Sequence, residues 1–133
     1  MKTIIQKVKF NASPKELFDI FLDSKKHSDA TGGKASVSRK IGEGFTAWDG
    51  YIRGKNLAIV PHRMIVQSWR TSQFKKTDLD SLLILTFEKE GKETLLTMVH
   101  ADAPDALAKD FTAGWKTHYW NPMKTYLKKT HKK

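Results

Sequence analysis

Asp49, His100 and His118 are the side chains of this sequence whose types and positions could carry proton chemistry. An alternating strand through residues 45–52 puts Asp49 on the face of Phe45, Ala47 and Tyr51, and Trp48 on the face of Thr46, Gly50 and Ile52. A carboxylate buried on such a face has a raised pKa and can serve as a general base. The same Asp can instead accept hydrogen bonds near the turn expected at Gly54 and orient the hairpin. His100 shares a strand face with Met98 and Leu96, while His118 falls on the apolar stripe of the last helix. Two histidines facing one cavity can bind a metal or shuttle a proton. Zinc needs a third ligand, however, and the sequence has neither an HExxH motif nor any cysteine. A core or rim histidine holding a backbone carbonyl is the simpler expectation for both, and no metal or cofactor is expected. His27, His62 and His131 fall in loops or the tail.

Trp69, Phe87, Phe111, Trp115, Tyr119 and Trp120 form an aromatic set that a sheet and a helix could bring together. Such rings either fill a core or line a ligand cavity, where an N–H or O–H can fix a ligand's orientation. There is no nucleophile elbow, phosphate loop or Gly-x-Gly-x-x-Gly, and Gly32-Gly33 and Gly42-x-Gly44 read as turns.

The totals bound these readings. A chain of 133 residues, 39% hydrophobic and 29% charged, is globular and long enough for one sizeable core, so residues 1–133 are expected to form a single domain. Without cysteine there is no disulfide framework and no thiolate nucleophile. The first residues lack the apolar run of a secretory signal, and no apolar run approaches the roughly 18 to 20 residues that span a bilayer. A soluble cytoplasmic protein without membrane insertion is expected. The net charge of +10 favours attraction to acidic surfaces. Its lysines and arginines are scattered, and the aromatics do not interleave with them, so no nucleic-acid partner is expected.

Residues 3–10 alternate as a half-buried strand, and Ser13-Pro14-Lys15-Glu16 has the composition of a capping box with Pro at the first helical position. Leu17, Phe18, Ile20, Phe21 and Leu22 then give a short, largely apolar helix, and residues 25–31 accommodate a further turn before Gly32-Gly33. Six strands are expected next, over 35–41, 45–52, 56–60, 64–70, 81–88 and 93–101. The final element recurs at three and four residues through Leu107, Phe111, Trp115, His118, Tyr119, Tyr126 and Leu127, a long amphipathic helix. Gly114 suggests close packing, and Pro122, by removing the bond to the His118 carbonyl, predicts a kink.

This order is the β-α-α-β6-α helix-grip arrangement, an α+β fold in which a curved antiparallel sheet wraps a long C-terminal helix. The resemblance becomes specific at Phe45-Thr46-Ala47-Trp48-Asp49-Gly50-Tyr51-Ile52-Arg53-Gly54 and at Ile65-Val66-Gln67-Ser68-Trp69-Arg70. These segments resemble the C-terminal domain of the activators of Hsp90 ATPase (Aha1), within the START/SRPBCC superfamily. Asn11–Phe18 matches the family's entry and Gly114–Trp120 the start of its last helix. In the family Asp-Gly belongs to the structural signature, which favours an orienting role for Asp49. Eukaryotic Hsp90 activators of this kind carry a further N-terminal domain and linker that this sequence does not contain. Stand-alone members of the superfamily more often hold a small apolar molecule between sheet and helix.

The resemblance implies a non-enzymatic binding domain for a small hydrophobic or amphipathic ligand. Its cavity candidates are Phe45, Asp49, Tyr51, Trp69, Phe87, Met98, His100, Phe111, Trp115, His118 and Tyr119, with no catalytic residue assigned. The alternative is a module that binds and activates an Hsp90-type chaperone. A cyclase- or hydrolase-like enzyme using Asp49 or His100 is the weaker alternative.

Overall fold

The computed structural model describes residues 1–132. The chain begins with β1 (Lys2–Phe10), followed by α1 (Pro14–Leu22) and α2 (Ser24–Thr31). Five strands come next: β2 (Gly44–Ala47), β3 (Ile52–Val60), β4 (Met64–Thr71), β5 (Ser81–Glu90) and β6 (Glu93–Ala103). The C-terminal helix runs through α3 (Asp105–Trp115), a π-helical turn (Lys116–Trp120) and α4 (Asn121–His131). All six strands form one antiparallel curved sheet, ordered β1-β6-β5-β4-β3-β2. This is the expected α+β helix-grip fold, with five strands rather than six after the helices.

Local chemistry sets the first helices. Ser13 Oγ accepts from the Glu16 N–H at 3.1 Å, and the Glu16 carboxylate accepts from the Ser13 N–H at 3.3 Å, completing the capping box. Asp23 caps α2 in the same manner by accepting from the Lys26 N–H. Asp19 on α1 is buried, and burial alone would raise its pKa. Hydrogen bonds from Lys15 at 2.7 Å and Arg39 at 2.6 Å outweigh that effect and hold its carboxyl below the usual range.

The missing strand is 35–41. Its backbone groups find other partners: the Ala35 and Val37 N–H groups donate to Ser28 Oγ and Ser24 Oγ, and Asn56 Nδ2 donates to the Ser38 and Lys40 carbonyls. Only Ser36 pairs in strand fashion, with Thr46. Side chains of α2 and β3 thus take the bonds that a sheet ladder would have used. The turn or bulge expected at Gly54 is also displaced, because the β2–β3 hairpin turns at residues 48–51 and the irregularity of β3 lies between Asn56 and Ala58. Gly54 sits inside β3, where Phe45 and Trp69 are its cross-strand partners. A side chain there would collide with the Ser68 carbonyl, so glycine serves close strand approach rather than a bend.

Alternation divides the sheet into two faces. Ile65, Leu83, Leu85, Leu96 and Met98 point inward and are at most 2% exposed, meeting Phe10, Leu17, Phe18 and Met123 in the core. The kink expected from Pro122 takes the form of a wider turn. Pro122 has no N–H, and the Asn121 N–H reaches back five residues to the Lys116 carbonyl, so one extra residue is absorbed without ending the helix. Among the described residues, no helix is long and apolar enough to cross a membrane.

Replacing Ser13 with Ala removes the cap acceptor and strands the Glu16 N–H, so Ser13→Ala is expected to lose about 1 kcal/mol. Chemical denaturation checks this, and a midpoint identical to the parent would show that the cap contributes nothing.

Candidate functional site

A cavity of about 350 Å³ lies between the β2–β3 hairpin and the C-terminal helix. Trp48, Tyr51 and Ile52 form the hairpin wall, and Trp69 enters from β4. Asp110, Phe111, Gly114, Trp115, His118 and Tyr119 form the helical wall. Their spacing at three and four residues is what one helical face requires. The rings pack against one another: Trp69 lies 5.2 Å from Phe111 and 5.8 Å from Trp115, and Trp115 lies 4.7 Å from Tyr119. Asp110, His118 and Tyr51 are exposed and form the polar mouth of an otherwise apolar space. A Cβ on Gly114 would meet only His118 Cδ2, at 3.7 Å. Gly114 therefore leaves room beside the cavity, and the close packing expected there is absent.

The hairpin wall is strained. Trp48, Asp49 and Gly50 have successive φ values of 50°, 60° and 90°, left-handed backbone that is unusual for a bulky side chain. The turn is held by the Asp49 N–H donating to the Lys34 carbonyl and the Tyr51 N–H to the Trp48 carbonyl. Trp48 is wedged between His118, whose ring stands edge-on at 5.2 Å, and Gly33. A Cβ on Gly33 would come within 2.5 Å of Trp48 Cε3, so only glycine allows the indole its place. Trp48 Nε1 is buried with no hydrogen-bond partner among the described residues. Backbone strain and an unsatisfied donor together concentrate unfavourable energy in one wall of the cavity, a combination that collects at binding sites.

Behind the cavity, two histidines tie the layers together. Trp115 Nε1 donates to His100 Nδ1 at 3.1 Å, which makes His100 Nε2 the protonated nitrogen. That N–H donates to Ser81 Oγ at 2.8 Å, and Ser81 Oγ–H donates to the Trp69 carbonyl at 2.6 Å. Desolvation lowers the His100 pKa to about 4. His27 forms the second relay: Nδ1 faces the Phe21 carbonyl at 3.4 Å, and Nε2 accepts from the Tyr119 hydroxyl at 3.0 Å. Desolvation lowers its pKa to about 4, partly opposed by the Phe21 carbonyl, and raises that of the buried Tyr119 phenol.

Of the residues expected from sequence, Tyr51, Trp69, Phe111, Trp115, His118 and Tyr119 line the cavity. Phe45, Phe87 and Met98 are core, with Phe87 packed against Phe18 and Phe21. His100 is sealed behind Trp115 with both ring nitrogens bonded, and is not among the cavity's lining residues. Asp49 is exposed in the turn and does not line the cavity, because the strand drawn through it ends at Ala47. Loss of the strand also undoes the alternation that turned Trp48 away, which is why Trp48 and Ile52 were missed. Asp110 lies one residue before Phe111 on the expected stripe, so helical spacing could have found it. His27, expected in a loop, is buried in α2 and nothing in its neighbours signals this. Among the described residues, no group of three or more His, Asp or Glu side chains could hold a metal ion.

The family model described as "Activator of Hsp90 ATPase homolog 1-like protein" matches residues 11–128. The chain belongs to this family. An activator of 90 kDa heat shock protein ATPase homolog from Dictyostelium discoideum is 28% identical over 124 residues, covering 92% of this chain and 32% of that protein. The human homolog 1 is 26% identical over 121 residues, covering 91% of this chain and 36% of its own. The chain thus spans about a third of the length of the curated relatives it matches. The solved structure of an HSP90 activator from Plasmodium falciparum superposes with a TM-score of 0.87 at 21% identity, covering 94% of this chain and 95% of that one. At that identity the likeness establishes the shared fold.

The two sealed histidines make stability depend on pH. An unfolded histidine takes up its proton near pH 6.5, whereas the folded His27 and His100 do so only at about 4. Acid therefore favours the unfolded chain: the histidine contribution to stability is full above about pH 6.5, falls as pH drops, and is lost below about pH 4. Each histidine can contribute up to about 3 kcal/mol of this loss. Urea denaturation between pH 7 and 5 checks it, and His100→Asn and His27→Asn should each flatten the profile. A flat profile in the parent would contradict the burial of both rings.

Proposed function

We propose that this chain is a non-enzymatic binding module that holds a small, flat hydrophobic or amphipathic molecule between the β2–β3 hairpin and the C-terminal helix. The observation that carries the reading is the apolar cavity of about 350 Å³, walled by Trp48, Trp69 and Trp115 and opening at Tyr51, Asp110 and His118. Its size is that of a small-molecule site, and its lining combines large apolar area with a few polar groups at the rim. The strained Trp48-Asp49-Gly50 turn supports the same reading, since strain persists where function rewards it. The cyclase- or hydrolase-like alternative has less support, because Asp49 is not among the cavity's lining residues and both ring nitrogens of the buried His100 are already bonded.

A second reading rests on the relatives. Both proteins matched over more than nine-tenths of this chain are named as activators of the 90 kDa heat shock protein ATPase. With a net charge of +10, the chain would be drawn to an acidic surface of an Hsp90-type chaperone. An ATPase assay with the chaperone of the same organism tests it: stimulation is expected, and an unchanged rate at saturating protein removes the reading.

For the cavity, NMR titration with a panel of fused-ring aromatics and fatty acids should shift resonances of Trp69 and Trp115. Gly114→Leu should fill the space and suppress those shifts while costing no stability, since leucine is a better helix former by up to about 1 kcal/mol. Shifts that persist in Gly114→Leu would place the ligand elsewhere, and silence throughout the panel would remove the cavity reading.

A further inference from the structure

A groove of about 470 Å³ runs between the end of β1 and α4, and β1 forms the opposite edge of the sheet from β2 of the hairpin that walls the cavity. Lys124, Lys128 and Lys132 line it at helical intervals of four, facing Phe10 and Asn11 across Leu127. None of these three lysines has an ion-pair partner among the described residues, and α4 contains no acidic residue. Like charges four apart on a helix repel one another. The helix dipole favours cations in the last turn, which accounts for Lys128 and Lys132 but not for Lys124, two turns from the end. Lys124 instead lies over the Phe10 ring at 5.9 Å, fixed beside the groove. Lys9 extends the basic margin from β1, already paired with Glu90 at 3.3 Å.

We infer that this groove is a docking site for an extended acidic peptide segment of a partner protein, with carboxylates at alternate positions. Residues four apart on a helix rise about 6 Å, and alternate residues of an extended chain advance about 6.7 Å, so two or three lysines can each meet one carboxylate. The groove favours a peptide over a polyphosphate strand. Glu93 stands on its wall and repels any anion placed beside it; a polyphosphate is charged at every unit, whereas a peptide can set an uncharged residue opposite Glu93, and Asn11 offers a side-chain amide to peptide backbone. Phe10 and Leu127, both buried in the core, form its apolar floor. The inference depends on neither reading of the cavity nor of the chaperone.

The test is fluorescence anisotropy with a labelled Glu-Leu-Glu-Ser-Glu peptide, using the full chain. Binding is expected to weaken about tenfold or more in Lys124→Gln/Lys128→Gln, and to fall as salt rises. The control Lys34→Gln/Lys76→Gln removes the same charge elsewhere and should change affinity little. Both pairs are exposed, and melting temperatures check that each variant folds. Equal weakening by the two pairs would reduce the effect to net charge and overturn the groove. Absence of peptide binding would overturn it too, as would tighter binding of a single-stranded oligonucleotide or of anionic phosphatidylserine vesicles through the same lysines.

Discussion

The hydrogen bond from Trp115 to His100 joins the C-terminal helix to the sheet, and the cavity exists because of where it holds that helix. Trp115 is large enough to reach across the core and ends in a donor that must find a partner when buried. His100 supplies an acceptor at the centre of the sheet, and Ser81 and the Trp69 carbonyl complete the chain of donors. Every polar atom of this relay is satisfied, so burial costs little and the register of the helix is fixed. A neutral imidazole is required throughout, since a proton on His100 Nδ1 would turn the acceptor facing Trp115 into a second donor.

The second relay, from Phe21 through His27 to Tyr119, performs the same service one helical turn further along. It anchors α2 rather than the sheet, so the C-terminal helix is held from both sides. Directly after Trp115 the helix widens into its π turn, which ends at Trp120 and contains Tyr119. The extra residue turns His118 outward over Trp48 while Tyr119 and Trp120 stay inside. Cavity wall and core anchor are thereby drawn from adjacent positions on one helix.

On the opposite wall, stability and space are in tension. The Trp48-Asp49-Gly50 turn carries left-handed backbone and an unsatisfied indole N–H, and it persists because its surroundings determine it. Gly33 makes room for the indole, Lys34 accepts from the turn, and Arg39 ties the connecting segment to Asp19 on α1. The segment between α2 and β2 is thus a brace for the hairpin. Its serine and asparagine contacts explain how so irregular a stretch keeps its place.

The sequence by itself determined the elements whose signals are local. The capping box at Ser13, the alternating strands β4 to β6 and the apolar stripe from Phe111 to Leu127 all follow from periodicity and side-chain chemistry, and the order of elements follows from them. Five cavity residues were legible in this way, because helical spacing places Phe111, Trp115, His118 and Tyr119 and one strand position places Trp69; Tyr51 lies in the turn, not on the strand expected through it. Tertiary structure decided the rest. Whether 35–41 becomes a strand depends on serines of α2 and an asparagine of β3, which are distant in sequence. Whether Asp49 faces inward depends on a turn that only the packing of Trp48 against Gly33 and His118 can hold. His27 and His100 have the same side chain as the exposed His118, and only the desolvation imposed by the assembled layers makes them neutral anchors.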